Sequence, residues 1–190
     1  MAWKSGAEAI LKRGTLIGKK VVIKERAPKR YRNELLDKKL RLERTRGEAR
    51  LLSMAKGAGV KCPFVYAVSD YAITMGYAEG EMLHEIIERR KPDRGVLECC
   101  GKMLASLHAG NIIHGDFTPA NIMVGKKGIT LIDFGLGFFS MDDEDKAVDV
   151  LTMKKALGNL AGPFLSSYGN PSMLRRVEGI EKRARYQKRG

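Results

Sequence analysis

The sequence predicts an α+β protein in two lobes: a small antiparallel sheet carrying one long helix, then a reduced and mainly helical second half. Three observations lead there. β-branched and apolar runs broken by glycine turns fill the start of the chain, one long helical pattern follows Pro28, and two short apolar segments around a polar loop stand between helical patterns further on.

Taken in order, Ala7 to Leu11 reads as a strand, with a turn near Arg13-Gly14. Thr15 to Ile17 follows, then a turn at Gly18-Lys19-Lys20 and the run Val21-Val22-Ile23-Lys24. Leu36, Leu40, Gly47, Leu51, Met54, Ala55 and Ala58 recur with helical spacing, and Gly57-Ala58-Gly59 is a stop signal. Cys62 to Val68 and Tyr71 to Tyr77 complete a five-stranded sheet around the Ser69-Asp70 turn, and Gly76 to Gly80 is a connector. The first lobe is expected over residues 1–78 and the second over 79–190. In the second, Met82 to Arg90 and Leu97 to His108 read as helices, with Leu97, Cys100, Met103, Leu104 and Leu107 as an apolar stripe. Short strands within Ile112 to Val124 and Ile129 to Phe134 flank the turn at Gly125-Lys126-Lys127-Gly128. Asp145 to Leu160 and Pro171 to Tyr186 give the last helices, and Gln187 to Gly190 is expected to be mobile.

A chain of 190 residues buries a sizeable core. It has no run of about 18 uncharged apolar residues and no charged-then-apolar leader, so a cytoplasmic protein is expected. Cys62, Cys99 and Cys100 form no C-x-x-C pair and read as small buried side chains. His84, His108 and His114 are too scattered for a metal site by themselves. The net charge of +13 is concentrated: residues 24–46 carry +6 and residues 175–190 carry +5. Such segments suit a polyanion such as nucleic acid, or form a solvated helix face.

The most informative stretch is Ile112-Ile113-His114-Gly115-Asp116-Phe117-Thr118-Pro119-Ala120-Asn121-Ile122-Met123-Val124, followed by Leu131-Ile132-Asp133-Phe134-Gly135. A carboxylate, an amide five residues on and a second carboxylate past a hairpin can converge on a phosphate-bound magnesium ion, which demands oxygen ligands. Asn121 and Asp133 are the candidate ligands, and Asp116 the candidate catalytic residue, orienting a hydroxyl or water and accepting its proton. The order is the one protein kinases use. Upstream, Val21-Val22-Ile23-Lys24 matches the lysine-bearing third strand of kinases, and Glu48 sits mid-helix in the next helix as its partner.

The pattern departs from ordinary kinases in several places. There is no G-x-G-x-x-G, and Gly6 is the only glycine in the first turn. Gly115 replaces the arginine that docks a phosphorylated activation loop, no A-P-E follows Asp133, and Thr118 stands where serine/threonine kinases place a lysine. Control by activation-loop phosphorylation is therefore expected to be absent. Asp149 resembles the buried kinase aspartate that braces the catalytic loop. Gly6-Ala7-Glu8-Ala9, H-G-D-F-T-P-A-N, I-D-F-G-L-G-F-F-S with E-D-K-A-V-D, and the basic C-terminal helix together resemble the small atypical kinase of the KEOPS complex, a relative of the RIO kinases, in its short archaeal form. The resemblance implies a minimal bilobal protein-kinase-like fold with ATP and Mg2+ as cofactors. It assigns Lys24, Glu48, Gly6, Gly76, Tyr77 and Ala78 to the ATP site. It also implies ATP hydrolysis in support of threonylcarbamoyl modification of adenosine in tRNA, Ser/Thr autophosphorylation, and work beside the complex's modifying enzyme and other subunits. The basic tail is then expected to contact the phosphates of tRNA, with a fold back over the ATP phosphates or a solvated face as the alternatives.

Two other readings stay open on the sequence. A small-molecule kinase of the aminoglycoside or choline type shares the H-G-D-x-x-x-x-N loop but carries more helical sequence for its substrate pocket. A basic scaffold without catalysis would leave Lys24, Glu48, Asp116, Asn121 and Asp133 without a role.

Overall fold

The computed structural model describes residues 2–5 and 9–187, with side chains from 9 to 184. Strand β1 (Ala2–Ser5) pairs with β2 (Ile10–Leu16), which forms a hairpin with β3 (Lys19–Glu25). The break expected at Arg13-Gly14 does not occur: Gly14 stays in the ladder opposite Val21. The two expected strands are therefore one, and the reversal comes at Ile17-Gly18, both at positive φ (48° and 71°), as a two-residue hairpin requires. Helix α1 (Glu34–Gly57) starts on the Asn33 side chain, which accepts the Leu35 and Leu36 amides, and ends at Ala58 and Gly59 as expected. β4 (Val65–Val68) and β5 (Ala72–Gly76) complete the five-stranded antiparallel sheet, order β1-β2-β3-β5-β4. Its strand count agrees with the expectation, although its first member lies further upstream.

The inward register of α1 differs from the expected stripe. Leu36 is 51% exposed, whereas Asp37, Thr45 and Glu48 are buried along with Ala49, Leu51, Leu52 and Ala55. Along the inward face of this helix Asp37 and Glu48 meet cations, and Ala49, Leu51, Leu52 and Ala55 beyond them meet the apolar core. Asp37 takes Arg41 Nε at 2.7 Å, and Arg41 lies 3.9 Å over the Tyr71 ring.

The second half opens with β6 (Glu81–Met82), α2 (Leu83–Arg89) and α3 (Arg94–Ala109). β7 (Ile112–Ile113), β8 (Ile122–Gly125) and β9 (Gly128–Leu131) follow, and β10 (Phe138–Phe139) returns to pair with β7. β6 and β10 went unforeseen because two-residue strands are made by their tertiary partners rather than by a local pattern. α4 (Asp143–Leu157) stops three residues short of the expected end, at Gly158 with φ 53°. α5 (Ala161–Tyr168), not anticipated, then turns back onto α3 before α6 (Pro171–Gln187). Gly101 makes that packing possible, since a Cβ there would meet the Phe164 carbonyl oxygen at 2.2 Å. The expectation of a mobile end concerns residues 188–190, which lie outside the described residues, and Gln187, which belongs to α6.

One continuous apolar core joins the two halves, from Leu52, Ala55 and Ile73 through Leu104, Leu107 and Phe117 to Phe134, Val150 and Phe164. Cys62 and Cys100 are buried, and burial pushes the Cys100 thiol up to about 12. Cys99 is exposed instead, on the outer face of α3. Among the described residues no helix is long and apolar enough to cross a membrane.

Candidate active site

Lys24 lies in β3, paired with Leu11 on one side and Ile73 on the other, and is 8% exposed. Strand alternation points it at α1, where Glu48 is 2% exposed. Lys24 Nζ donates to Glu48 Oε1 at 2.6 Å and to Asp133 Oδ1 at 2.7 Å. The Arg26 guanidinium Nη2 donates to the other oxygen, Glu48 Oε2, at 2.6 Å. Four charges thus form one chain, and a buried carboxylate is tolerable only because both its oxygens are satisfied. Asp133 follows β9 in the left-handed region, φ 61°, with Oδ1 also accepting the Gly135 amide at 3.1 Å. Partial burial raises the pKa of this carboxyl, but the Lys24 charge and hydrogen bond outweigh it and hold the group below its usual range.

The β8–β9 hairpin brings Asn121 to Asp133. Ile122 pairs with Leu131, and the Ile132 amide donates to the Asn121 carbonyl at 2.9 Å, so the two side chains leave from adjacent strand ends. Asn121 Nδ2 donates to the Asp116 carbonyl at 2.9 Å and to Asp116 Oδ2 at 2.8 Å. With the nitrogen so engaged, the amide oxygen is what Asn121 can offer a cation.

A buried brace holds the loop around Asp116. Asp149 on α4 accepts the His114 amide at 2.6 Å and the Gly115 amide at 2.9 Å. On its other side, His108 Nε2 lies at 3.5 Å, and His108 Nδ1 is 2.8 Å from the Tyr168 hydroxyl. His114 packs against Phe134 and Phe117, with its Nε2 3.2 Å from the Ile132 carbonyl. Burial pushes its imidazole pKa down, against the pull of the Asp149, Asp133 and Asp116 charges. Gly115 has φ 77°, and a Cβ there would meet the Leu136 carbonyl oxygen at 2.3 Å. A Cβ on Gly137 would meet the Ile113 carbonyl oxygen at 2.9 Å. The segment after Asp133 therefore lies directly against the loop that carries Asp116.

Residues 11–154 match the family model described as RIO domain. The chain belongs to the RIO-domain family. This RIO domain is 37% identical over 195 residues to the probable serine/threonine-protein kinase BUD32 homolog of Archaeoglobus fulgidus, covering 97% of this chain and 95% of that one. It is 40% identical over 193 residues to the probable bifunctional tRNA threonylcarbamoyladenosine biosynthesis protein of Methanosphaera stadtmanae, covering 96% of this chain but 36% of the relative. The protein of the same name in Methanothermobacter thermautotrophicus is 39% identical and is likewise covered over 36% of its length. The chain thus spans about a third of the length of these bifunctional relatives. The Rio2 kinase of Chaetomium thermophilum, solved as an ADP/Mg2+-phosphoaspartate complex, shares the fold with a TM-score of 0.69 at 15% identity, over 97% of this chain and 70% of that one.

Of the residues singled out in the sequence, the RIO domain brings Lys24, Glu48, Asp116, Asn121 and Asp133 into one connected group. Gly76 ends β5 opposite Val21, and the Tyr77 amide is taken by the Lys20 carbonyl at 3.1 Å. Ala78 follows, half-buried in the connector to β6. Gly6 lies outside the described residues. Sequence reasoning missed Arg26, counting it only toward a basic segment; the signal was there in its position two residues after Lys24 in an extended run, on the same face. The structure also spends more of the basic excess internally than the charge count implies. Arg176 lies 3.8 Å from Asp143 and Arg183 lies 2.6 Å from Glu144, tying α6 to α4.

Proposed function

We propose that this RIO domain is an ATP- and magnesium-dependent serine/threonine kinase and ATPase that supports threonylcarbamoyl modification of adenosine in tRNA. It works in the cytoplasm beside the modifying enzyme and other subunits of the KEOPS complex, with a lobe boundary at 78/79. The observation that carries this reading is the cluster in which Lys24 holds Glu48 and Asp133 together, hydrogen-bonded through the β8–β9 hairpin to the Asn121–Asp116 pair. The names of the relatives support its biological side.

The donor set suits magnesium, because Asp133 offers an ionised carboxylate and Asn121 an amide oxygen, both hard ligands. Bound there with the nucleotide, the ion neutralises charge on the phosphates. Lys24 turns its ammonium from Asp133 to the α- and β-phosphates while Glu48 keeps it in place. Gly76, Tyr77 and Ala78 line the nucleotide side of the connector, and Gly6 is assigned to the ATP site by the sequence resemblance alone. Asp116 accepts the proton of the attacking hydroxyl or water as its oxygen bonds to the γ-phosphorus and the bond to the ADP oxygen breaks. The exposed bases of α6, Arg175 and Lys182, offer contacts to tRNA phosphates.

The test is phosphate release from ATP and magnesium, by the chain alone and with the modifying enzyme and tRNA. Strong stimulation in the mixture is expected. Full turnover by the chain alone, unchanged on mixing, would instead indicate a free-standing kinase or ATPase. Lys24→Ala and Glu48→Ala should each weaken productive nucleotide binding, and the double variant should be little worse than the worse single, because the pair acts as a unit. Additive losses in nucleotide titrations would show that Glu48 acts independently of Lys24.

A further inference from the structure

Arg26 stands outside the motif yet inside the charge cluster. It is 4% exposed, and its Nη2 holds Glu48 Oε2 at 2.6 Å while Lys24 holds Oε1 at 2.6 Å. A Cβ on Gly135 would lie 3.3 Å from Arg26 Nη2 and 3.5 Å from Lys24 Nζ, so both cations reach the loop that carries Asp133. With Asp133 engaged by Lys24, two cations and two anions cancel. If Asp133 is drawn to a metal ion, Lys24, Arg26 and Glu48 are left one positive charge in excess. A lysine–glutamate pair alone would be neutral.

We propose that Arg26 is a positioning residue of the phosphate site: by occupying the second oxygen of Glu48, it leaves the Lys24 ammonium electrostatically available to the phosphates of a nucleoside triphosphate. Glu48 divides its charge between two cations and so holds Lys24 without quenching it. The guanidinium is a fixed, permanently charged fork, suited to a buried carboxylate as a mobile lysine is not. The inference rests on the nucleotide reading above.

The experiment compares MgATP and adenosine binding across variants of the full chain. Arg26→Gln should raise the ATP KM more than it lowers kcat and should weaken MgATP binding about tenfold, the order expected for one charge lost a few ångströms away. Adenosine binding, which involves no phosphate, should be unchanged. Arg26→Lys should recover only part of the MgATP affinity, since it returns the charge without the fork. Because Arg26→Gln strips a buried carboxylate of one partner, a second comparison guards against misfolding. Glu48→Gln is set against Arg26→Met/Glu48→Gln, in which no carboxylate is orphaned; because Arg26 acts through Glu48, the two should bind MgATP within about twofold of each other. A further loss of about tenfold in the double variant, which would mean that Arg26 acts directly and not through Glu48, or parallel losses for MgATP and adenosine in Arg26→Gln, would overturn the role of Arg26. Failure of the unaltered chain to bind MgATP would overturn the nucleotide reading itself.

Discussion

Asp133→Ala is expected to abolish magnesium-dependent phosphate release. Asp133 carries the carboxylate placed beside Asn121 by the β8–β9 pairing, and its carboxyl is held ionised by Lys24. Among the described residues no group of three or more His, Cys, Asp or Glu side chains could hold a metal ion in its stead. Because Asp133 sits at φ 61°, alanine also adds backbone strain, so Asp133→Asn is the sharper variant: it tolerates that conformation, keeps the shape and removes the charge. Both should be inactive with the fold intact by circular dichroism. A folded variant releasing phosphate at near-native rate would end the assignment of Asp133 to the metal.

Asp116→Ala should lower turnover by at least about a hundredfold, the lower range for a positioned acid–base group, while leaving ATP binding largely intact. The separation of effects follows from the hydrogen bonds. Asn121 Nδ2 loses Asp116 Oδ2 but keeps the Asp116 backbone carbonyl at 2.9 Å, so the candidate metal ligand stays where it is. The Asp149 brace acts on backbone amides of His114 and Gly115 and does not involve the Asp116 side chain. Single-turnover kinetics beside a nucleotide titration would separate the two quantities. An equal loss in both would make Asp116 a binding residue.

Five members of the candidate site were legible because each rests on a short-range rule. Lys24 follows from a β-branched run, Glu48 from its place in a long helix, and Asp116, Asn121 and Asp133 from fixed spacings across a loop and hairpin. Arg26 was invisible to a charge count, which treats every base as surface, although it is 4% exposed. In the sequence Gly14 reads as punctuation, whereas a glycine inside a ladder is tolerated when its neighbours pair. The inward face of α1 differs from the apolar stripe as far as Glu48 because Asp37, Thr45 and Glu48, not leucines, lie on it. α5 was hidden for a related reason: its burial depends on the groove that Gly101 opens in α3, a feature of another element far away in the chain.

The contact at Gly115 and Gly137 fixes more than a path of the chain. With Leu136 laid on Gly115 and β10 paired to β7, the backbone carrying Asp133 and the backbone carrying Asp116 are parts of one folded unit. The spacing between the Asp116 and Asp133 carboxylates is therefore set by folding, and the conformational entropy of that placement is lost then. On the proposed nucleotide reading, what would remain to reorganise is the Lys24 ammonium, and a site that needs so small an adjustment is electrostatically preorganised.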